Sequence, residues 1–219
     1  MKQYLISASN LAKFLGFGYS AKDKTIYLKE GLPCKGMNGV DAYMHYLNTR
    51  PIPIITNKEA RDCKRLENDD IDLYETKFNA TVTDRNEKLY LRKIDLNTEH
   101  EYYLYGSVDG LLKDSIFEMK RCTSRAKDTN HPWNKIQLEC LMFLTGLEKA
   151  ILCKQDKSLQ VDPNPTIHNY DHDAKYWNFL LMKFKGQLIK FDYEKPEKVF
   201  RLKDEIPKHL LRRFEVMKL

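Results

Sequence analysis

Hydrophobic and polar residues alternate along residues 103–120 in the rhythm of extended strands. Tyr103, Tyr105 and Ser107 predict one strand, Lys113-Asp114 a turn, and Ser115 to Lys120 a second strand. Strand side chains repeat every two residues, so Glu118 and Lys120 share one face while Phe117 and Met119 point the other way, into a core. Elsewhere the period is helical. Ala60, Cys63, Ile71, Tyr74 and Phe78 recur at three- and four-residue steps within a helix from Asn57 to Phe78. From Pro132 or Trp133 to Thr145 the chain is apolar almost all round, which predicts a buried helix, and Leu147 to Lys154 reads as a further strand. Asn38 to Leu47 predicts a helix, Pro51 and Pro53 a loop, and Asp162 to Pro165 a turn. Residues 171–190 predict a long amphipathic helix and Ile206 to Met217 a shorter one. No internal repeat or low-complexity linker interrupts the pattern, and 219 residues suit a single domain, 1–219, with a sizeable core.

Three polar residues stand out against this pattern. A hairpin would bring Asp109, which follows the first strand, beside the face that carries Glu118 and Lys120. Two nearby carboxylates repel unless a cation lies between them, and hard oxygen ligands suit magnesium or manganese. Such a metal lowers the pKa of bound water and stabilises charge on a phosphoryl oxygen, the requirements of phosphodiester cleavage. Lys120 would orient and help deprotonate that water, or neutralise developing charge. The same residues also suit a solvated hairpin whose Glu and Lys form a weak surface pair. Glu67 falls on the apolar stripe of the Asn57–Phe78 helix, where a carboxylate is costly unless it is paired or ligates something. Arg61 or Lys64 would be ordinary partners, and a rotated helix would leave Glu67 wet. Gln137 faces protein from the buried helix, and its amide needs partners. A water or backbone group near the metals and a plain core hydrogen bond both meet that need.

The order of helix-borne Glu67, then Asp109, then Glu118-Met119-Lys120, then Gln137 on a following helix resembles the PD-(D/E)XK nuclease superfamily. Within it the chain is most similar to lambda-type phage exonucleases and the related YqaJ-like viral recombination exonucleases. Ile6-Ser-Ala-Ser9, Leu66 to Glu75, Ser107 to Leu111 with Phe117 to Lys120, and Cys122-Thr-Ser-Arg125 carry the likeness, in order, over residues 1–155. The resemblance implies an α/β, restriction-endonuclease-like core with a central mixed β-sheet flanked by helices. It implies Mg2+ or Mn2+, two ions per site, held by Asp109, Glu118, Glu67 and the Met119 carbonyl, with Lys120 acting on the nucleophilic water and Gln137 in support. Ser9, Ser107, Arg125 and Lys2 fall where the family grips a terminal 5′-phosphate. The run from Lys120 to Arg125 is one residue shorter than in the family, which makes Arg121 the alternative guanidinium. Val108 stands where the family has proline, and Leu141 where many members have a tyrosine after the glutamine. The implied activity is 5′→3′ degradation of one strand of double-stranded DNA. A homotrimer, a single-strand annealing partner and a role in phage or viral DNA recombination come with the same likeness. Other readings of these residues are an endonuclease or junction resolvase, an RNA-degrading relative, and a silent DNA-binding module.

Charge changes this picture little. A net charge of +6 favours a polyanionic partner without naming one. Between Lys113 and Lys135 six Lys/Arg face three acids, and from Lys195 to Lys218 eight face four, so both stretches would bind nucleic acid in a salt-sensitive way. The five cysteines include no C-x-x-C pair, which argues against zinc or an iron–sulfur cluster. His168 and His172 suggest a loose surface pair. No signal peptide and no apolar run of membrane-spanning length is present, so an intracellular, reducing location is expected, with no membrane partner.

Overall fold

A computed structural model describes residues 3–15, 17, 29–30, 58–86, 88–96, 98–129, 131–159 and 162–189. The expected helices at Asn38–Leu47 and Ile206–Met217, and the loop at Pro51 and Pro53, lie outside these residues. In chain order the elements are β1 (Gln3–Ser7), α1 (Ala8–Phe14), β2 (Lys29–Glu30), α2 (Lys58–Phe78), β3 (Leu89–Ile94), β4 (Glu101–Ser107) and β5 (Gly110–Leu112). They continue with β6 (Ser115–Cys122), α3 (Ser124–Lys127), α4 (Pro132–Thr145), β7 (Lys149–Asp156), β8 (Thr166–Asp171) and α5 (Ala174–Ile189). The chain divides into two compact units, one of residues 1–51, 89–106 and 173–219, the other of residues 52–88 and 107–172.

In the first unit the strand order is β2-β1-β4-β3, with β1 antiparallel to β2 and parallel to β4. Its core is aromatic. Phe184 of α5 meets Phe14 of α1 with ring centroids 4.8 Å apart and Tyr102 of β4 at 6.0 Å, while Tyr102 stacks on Tyr4 of β1. The apolar positions of α5 explain why it docks: Trp177, Leu180, Phe184 and Leu188 recur at helical steps and all are buried.

The second unit is built on the order β5-β6-β7-β8, in which β6 and β7 run parallel and both outer pairs are antiparallel. The mixed sheet expected from the sequence therefore takes the form of two four-stranded mixed ladders, one in each unit. Phe117 and Met119 of β6 join Ile71 and Tyr74 of α2, Val82 and Cys153 in one buried cluster. Burial of such side chains is worth roughly 1.5–3 kcal/mol each and holds α2 to this unit's core. The stripe on α2 ends sooner than its periodicity suggests, because Phe78 is 43% exposed and rests against Tyr74. α4 is buried at Ile136, Leu138, Cys140, Leu141, Met142 and Leu144, and it ends at Gly146 in the left-handed conformation (φ 75°), a position that favours glycine.

Two sequence expectations need correction. The strand through Tyr103 and Ser107 does not pair with Ser115–Lys120; that partner is the short β5, and β4 belongs to the other sheet. His168 and His172 do not form a pair, since β8 extends the chain between them and each ring has its own partner. His168 Nε2 lies 3.0 Å from the Lys127 carbonyl, and His172 Nδ1 lies 2.8 Å from buried Glu139. No helix among the described residues is long and apolar enough to cross a membrane.

Candidate active site

The register of β5 on β6 places Asp109. Gly110 is opposite Phe117, so one further step along the antiparallel ladder sets Asp109 beside Glu118. β5 ends there, and the Asp109 carboxylate continues the ladder in place of the main chain by accepting the Met119 N–H at 2.8 Å. Gly110 makes this approach possible, because a Cβ at that position would sit 2.2 Å from Val82 Cγ1. The Thr83–Leu111 backbone bridge, 2.8 Å in both directions, holds that contact in place.

Glu118 is the centre of the cluster. It is 2% exposed, and its Oε1 accepts hydrogen bonds from Lys120 Nζ and, at 2.7 Å, from Gln137 Nε2. Its Oε2 is buried without a hydrogen-bond partner. A buried, half-satisfied carboxylate is expensive and calls for a positive neighbour. The weak surface pair considered from the sequence is thus excluded: the Glu118–Lys120 pair forms, but its acid is buried and only the lysine side chain reaches solvent, at 36%. Gln137 donates to the Glu118 carboxylate itself.

Electrostatics tie Asp109 into the same group. Burial pushes its carboxyl up to about 7; the Glu118 and Glu67 charges add to that effect, and Lys120 and the Met119 N–H oppose it. Burial disfavours the Lys120 ammonium, yet Glu118, Asp109 and Glu67 outweigh it and hold its pKa above the ordinary lysine value. Glu67 is half-buried on α2, and its Oε1 accepts a hydrogen bond from Asn86 at 2.6 Å; the side chains of Arg61 and Lys64 lie outside the described residues. Among the described residues no three His, Cys, Asp or Glu side chains stand close enough to hold a metal ion by themselves. The donors available to a divalent cation are Asp109, the bare Oε2 of Glu118, the Met119 carbonyl and Glu67. An orphaned buried carboxylate oxygen beside a second acid fits a hard cation.

The residues matched to a phosphate grip are distributed differently. Arg121 follows Phe117 and Met119 on the α2 face of β6, opposite to Glu118 and Lys120. There its Nε and Nη2 each donate to Asp70 at 2.5 Å, in a pair whose side chains are 4% and 2% exposed. Its guanidinium fork is therefore spent on a protein carboxylate. Ser107 is exposed at the end of β4, and Arg125 lies in α3 with its side chain outside the described residues. Ser9 is exposed in α1 of the other unit, its hydroxyl 3.2 Å from that of Ser7, and Lys2 lies outside the described residues.

Sequence reasoning missed the supports beneath α3. Ser124 and Ser158 bond Asp156, and Lys127 bonds Asp162 at 2.5 Å, which also accepts the Asp156 N–H at 2.8 Å. Buried Lys154, in register with Lys120, donates to the carbonyls of Ala126 and Thr129. The spacing D-x5-D of Asp156 and Asp162 gave no hint of this network, because Ser124 and Lys127 come from a separate segment.

No protein-family profile and no curated protein sequence matches this chain. Solved structures do. The alkaline exonuclease LHK-Exo from Laribacter hongkongensis is 16% identical, with 84% of this chain covering 86% of that one at a TM-score of 0.50. The same enzyme in complex with dAMP gives 0.51 over the same shares. The protein SSO0001 is 14% identical, with 86% of this chain covering 77% of that one at a TM-score of 0.53. The fold is restriction-endonuclease-like. The carboxylates gather at the β5–β6 hairpin of this fold, with α2 and α4 on the sheet that carries it.

Proposed function

We propose that this chain is a metal-dependent nuclease that hydrolyses phosphodiesters of DNA. The observation that carries the reading is Glu118, buried with one bare carboxylate oxygen, placed beside Asp109 and bonded to Lys120 and Gln137. On a fold that similar exonuclease structures share, this is the donor set for Mg2+ or Mn2+, two ions when the site is filled. The cation supplies an acidified water and charge stabilisation at the phosphoryl group.

The protein's own groups do the remaining work. Asp109, Glu118, the Met119 carbonyl and Glu67 would hold the cation. Gln137 fixes one oxygen of Glu118, and the other, which has no hydrogen-bond partner, would be left for the cation. Lys120, a cation at the rim of the cluster, orients the attacking water and offsets negative charge that develops on the phosphate.

The finer reading is a 5′→3′ exonuclease on duplex ends with a 5′-phosphate, serving phage or viral DNA recombination. Ser107 and Arg125, in the unit that carries the carboxylates, are the proposed phosphate contacts; Ser9 and Lys2 rest on the sequence resemblance. A homotrimer and a single-strand annealing partner belong to the same proposal, with an intracellular location. The test is magnesium-dependent digestion of 5′-phosphorylated linear duplex, 5′-hydroxyl linear duplex and closed circular DNA. Loss of the phosphorylated linear substrate with release of mononucleotides is expected. Cutting of the circle would make the enzyme an endonuclease, and cleavage of RNA alone would move its substrate class.

A further inference from the structure

α4 begins in an unusual way. Its N-cap residue is His131, where Ser, Thr, Asp or Asn would ordinarily cap the first amides, and the His131 side chain makes no capping bond. The ring lies flat on Trp133 instead, with centroids 4.1 Å apart and planes 8° from parallel. Both residues are only half-buried. A helix start that forgoes its cap for a partly exposed two-ring stack breaks a local rule, and such breaks concentrate at functional positions.

The topology puts this stack beside the carboxylate cluster. β6 and β7 are parallel neighbours and α4 is their crossover, so α4 runs antiparallel to β6. Gln137 is bonded to Glu118. Trp133 shares the helix face of Gln137 one turn earlier, about 6 Å back along the axis. Lys120 lies two residues beyond Glu118, about 6.6 Å along the strand in the same direction. On these ideal spacings Trp133 falls level with Lys120, with His131 further out along the same line. Basic Lys135 follows the stack in sequence, while Lys127 before it is paired with Asp162.

We propose that the His131–Trp133 stack is a nucleobase platform. It receives an unpaired base of the DNA strand next to the phosphodiester presented to Asp109, Glu118 and Lys120. This inference rests on the nuclease reading and deepens it by assigning where the substrate strand's bases go. Aromatic rings accept any base by its π-face, so the platform favours single-stranded character over a particular sequence.

The chain has only two tryptophans, and Trp177 is a buried residue of α5 at 7% exposure, so a ligand-induced change in emission reports on Trp133. The experiment titrates the full chain, in EDTA to prevent cutting, with a 5′-phosphorylated oligothymidylate and with an abasic oligomer of equal length and charge. Binding is followed by anisotropy of a label on the oligomer, and tryptophan emission is recorded in parallel. The thymidylate is expected to quench emission and to bind about fivefold to a hundredfold more tightly than the abasic strand, the range of base–aromatic stacking. Trp133→Leu should remove the quenching and erase the preference for thymidylate, and Trp133→Phe should restore most of it. Equal affinity of the native chain for both strands, or binding without quenching, would overturn the platform while leaving the nuclease reading intact; that arm needs no variant. Failure of the native chain to bind any DNA strand would overturn both.

Discussion

The carboxylate of Asp109 accepts the backbone N–H of Met119 at 2.8 Å, so the acid is fixed to the very strand that carries Glu118 and Lys120. Position here is set by the backbone, not by a flexible side-chain contact. The arrangement depends on the chain bending into β5 immediately after Asp109, and on Gly110 lying against Val82.

Gly110→Ala should therefore be damaging. Its Cβ would meet Val82 Cγ1 at 2.2 Å and the Thr83 carbonyl oxygen at 3.2 Å, and Val82 is itself in the core. A loss of roughly 1–3 kcal/mol in urea unfolding is expected, the usual cost of overpacking. Adding Val82→Ala should return part of that loss, because the two changes share one contact. Additive losses in the double variant would show that the Gly110–Val82 approach is not what constrains this position.

Arg121 and Arg125 should behave differently. Removing either partner of the buried Arg121–Asp70 pair strands a charge in the core, so Arg121→Ala or Asp70→Ala should cost roughly 3–5 kcal/mol. If Arg125 serves the substrate and not the fold, Arg125→Ala should leave thermal unfolding within about 0.5 kcal/mol of the native chain. It should reduce discrimination between 5′-phosphate and 5′-hydroxyl ends. Unchanged stability of Arg121→Ala, measured by denaturant titration, would show that this arginine is free for substrate after all.

Much of this was legible in the sequence, for a physical reason. The period of two in Ser115–Lys120 separates Phe117 and Met119 from Glu118 and Lys120, and the structure keeps that separation. The same period, carried one step further, sends Arg121 to the α2 face, where it pairs with Asp70. What stayed hidden depends on distant pairings. Asn86, which bonds Glu67, sits in a turn with a left-handed φ of 52° and belongs to no periodic pattern. The pairing of β4 with β1 rather than with β6 is likewise a choice between strands, which local alternation does not encode.

Acid should release the supports of α3. Hydrogen bonds from Ser124 and Ser158 hold the Asp156 carboxyl down to about 2, below its ordinary value of 3.8. A depressed acid contributes stability that is complete above the unfolded-state value and is lost as pH falls through the folded one. Asp156→Asn should therefore unfold at a lower temperature than the native chain near neutrality, with the gap closing between about pH 4 and pH 2. A gap that stays constant down to pH 2 in thermal melts would assign the effect to packing instead.

Gln137→Leu should leave the fold intact yet slow cleavage. Gln137 is half-buried, and the change removes one of the two donors on Glu118 Oε1. Loss of a hydrogen bond to a charged group is worth roughly 1.5–3 kcal/mol. A fall of about ten- to a hundredfold in kcat, with little change in KM, is expected from single-turnover kinetics on linear duplex. A fall in KM or in melting temperature alone would place Gln137 in packing rather than in orientation of the acid.

The most direct measurement is cleavage of 5′-phosphorylated linear duplex DNA in Mg2+ by the native chain, by Asp109→Ala and by Lys120→Ala, each checked for folding and for DNA affinity. The native chain should degrade the duplex and stop when EDTA is added, while both variants bind DNA but lose cleavage by at least about a thousandfold. Cleavage at native rates by either folded variant, or by the native chain in EDTA, would contradict a metal-dependent site built on Asp109, Glu118 and Lys120.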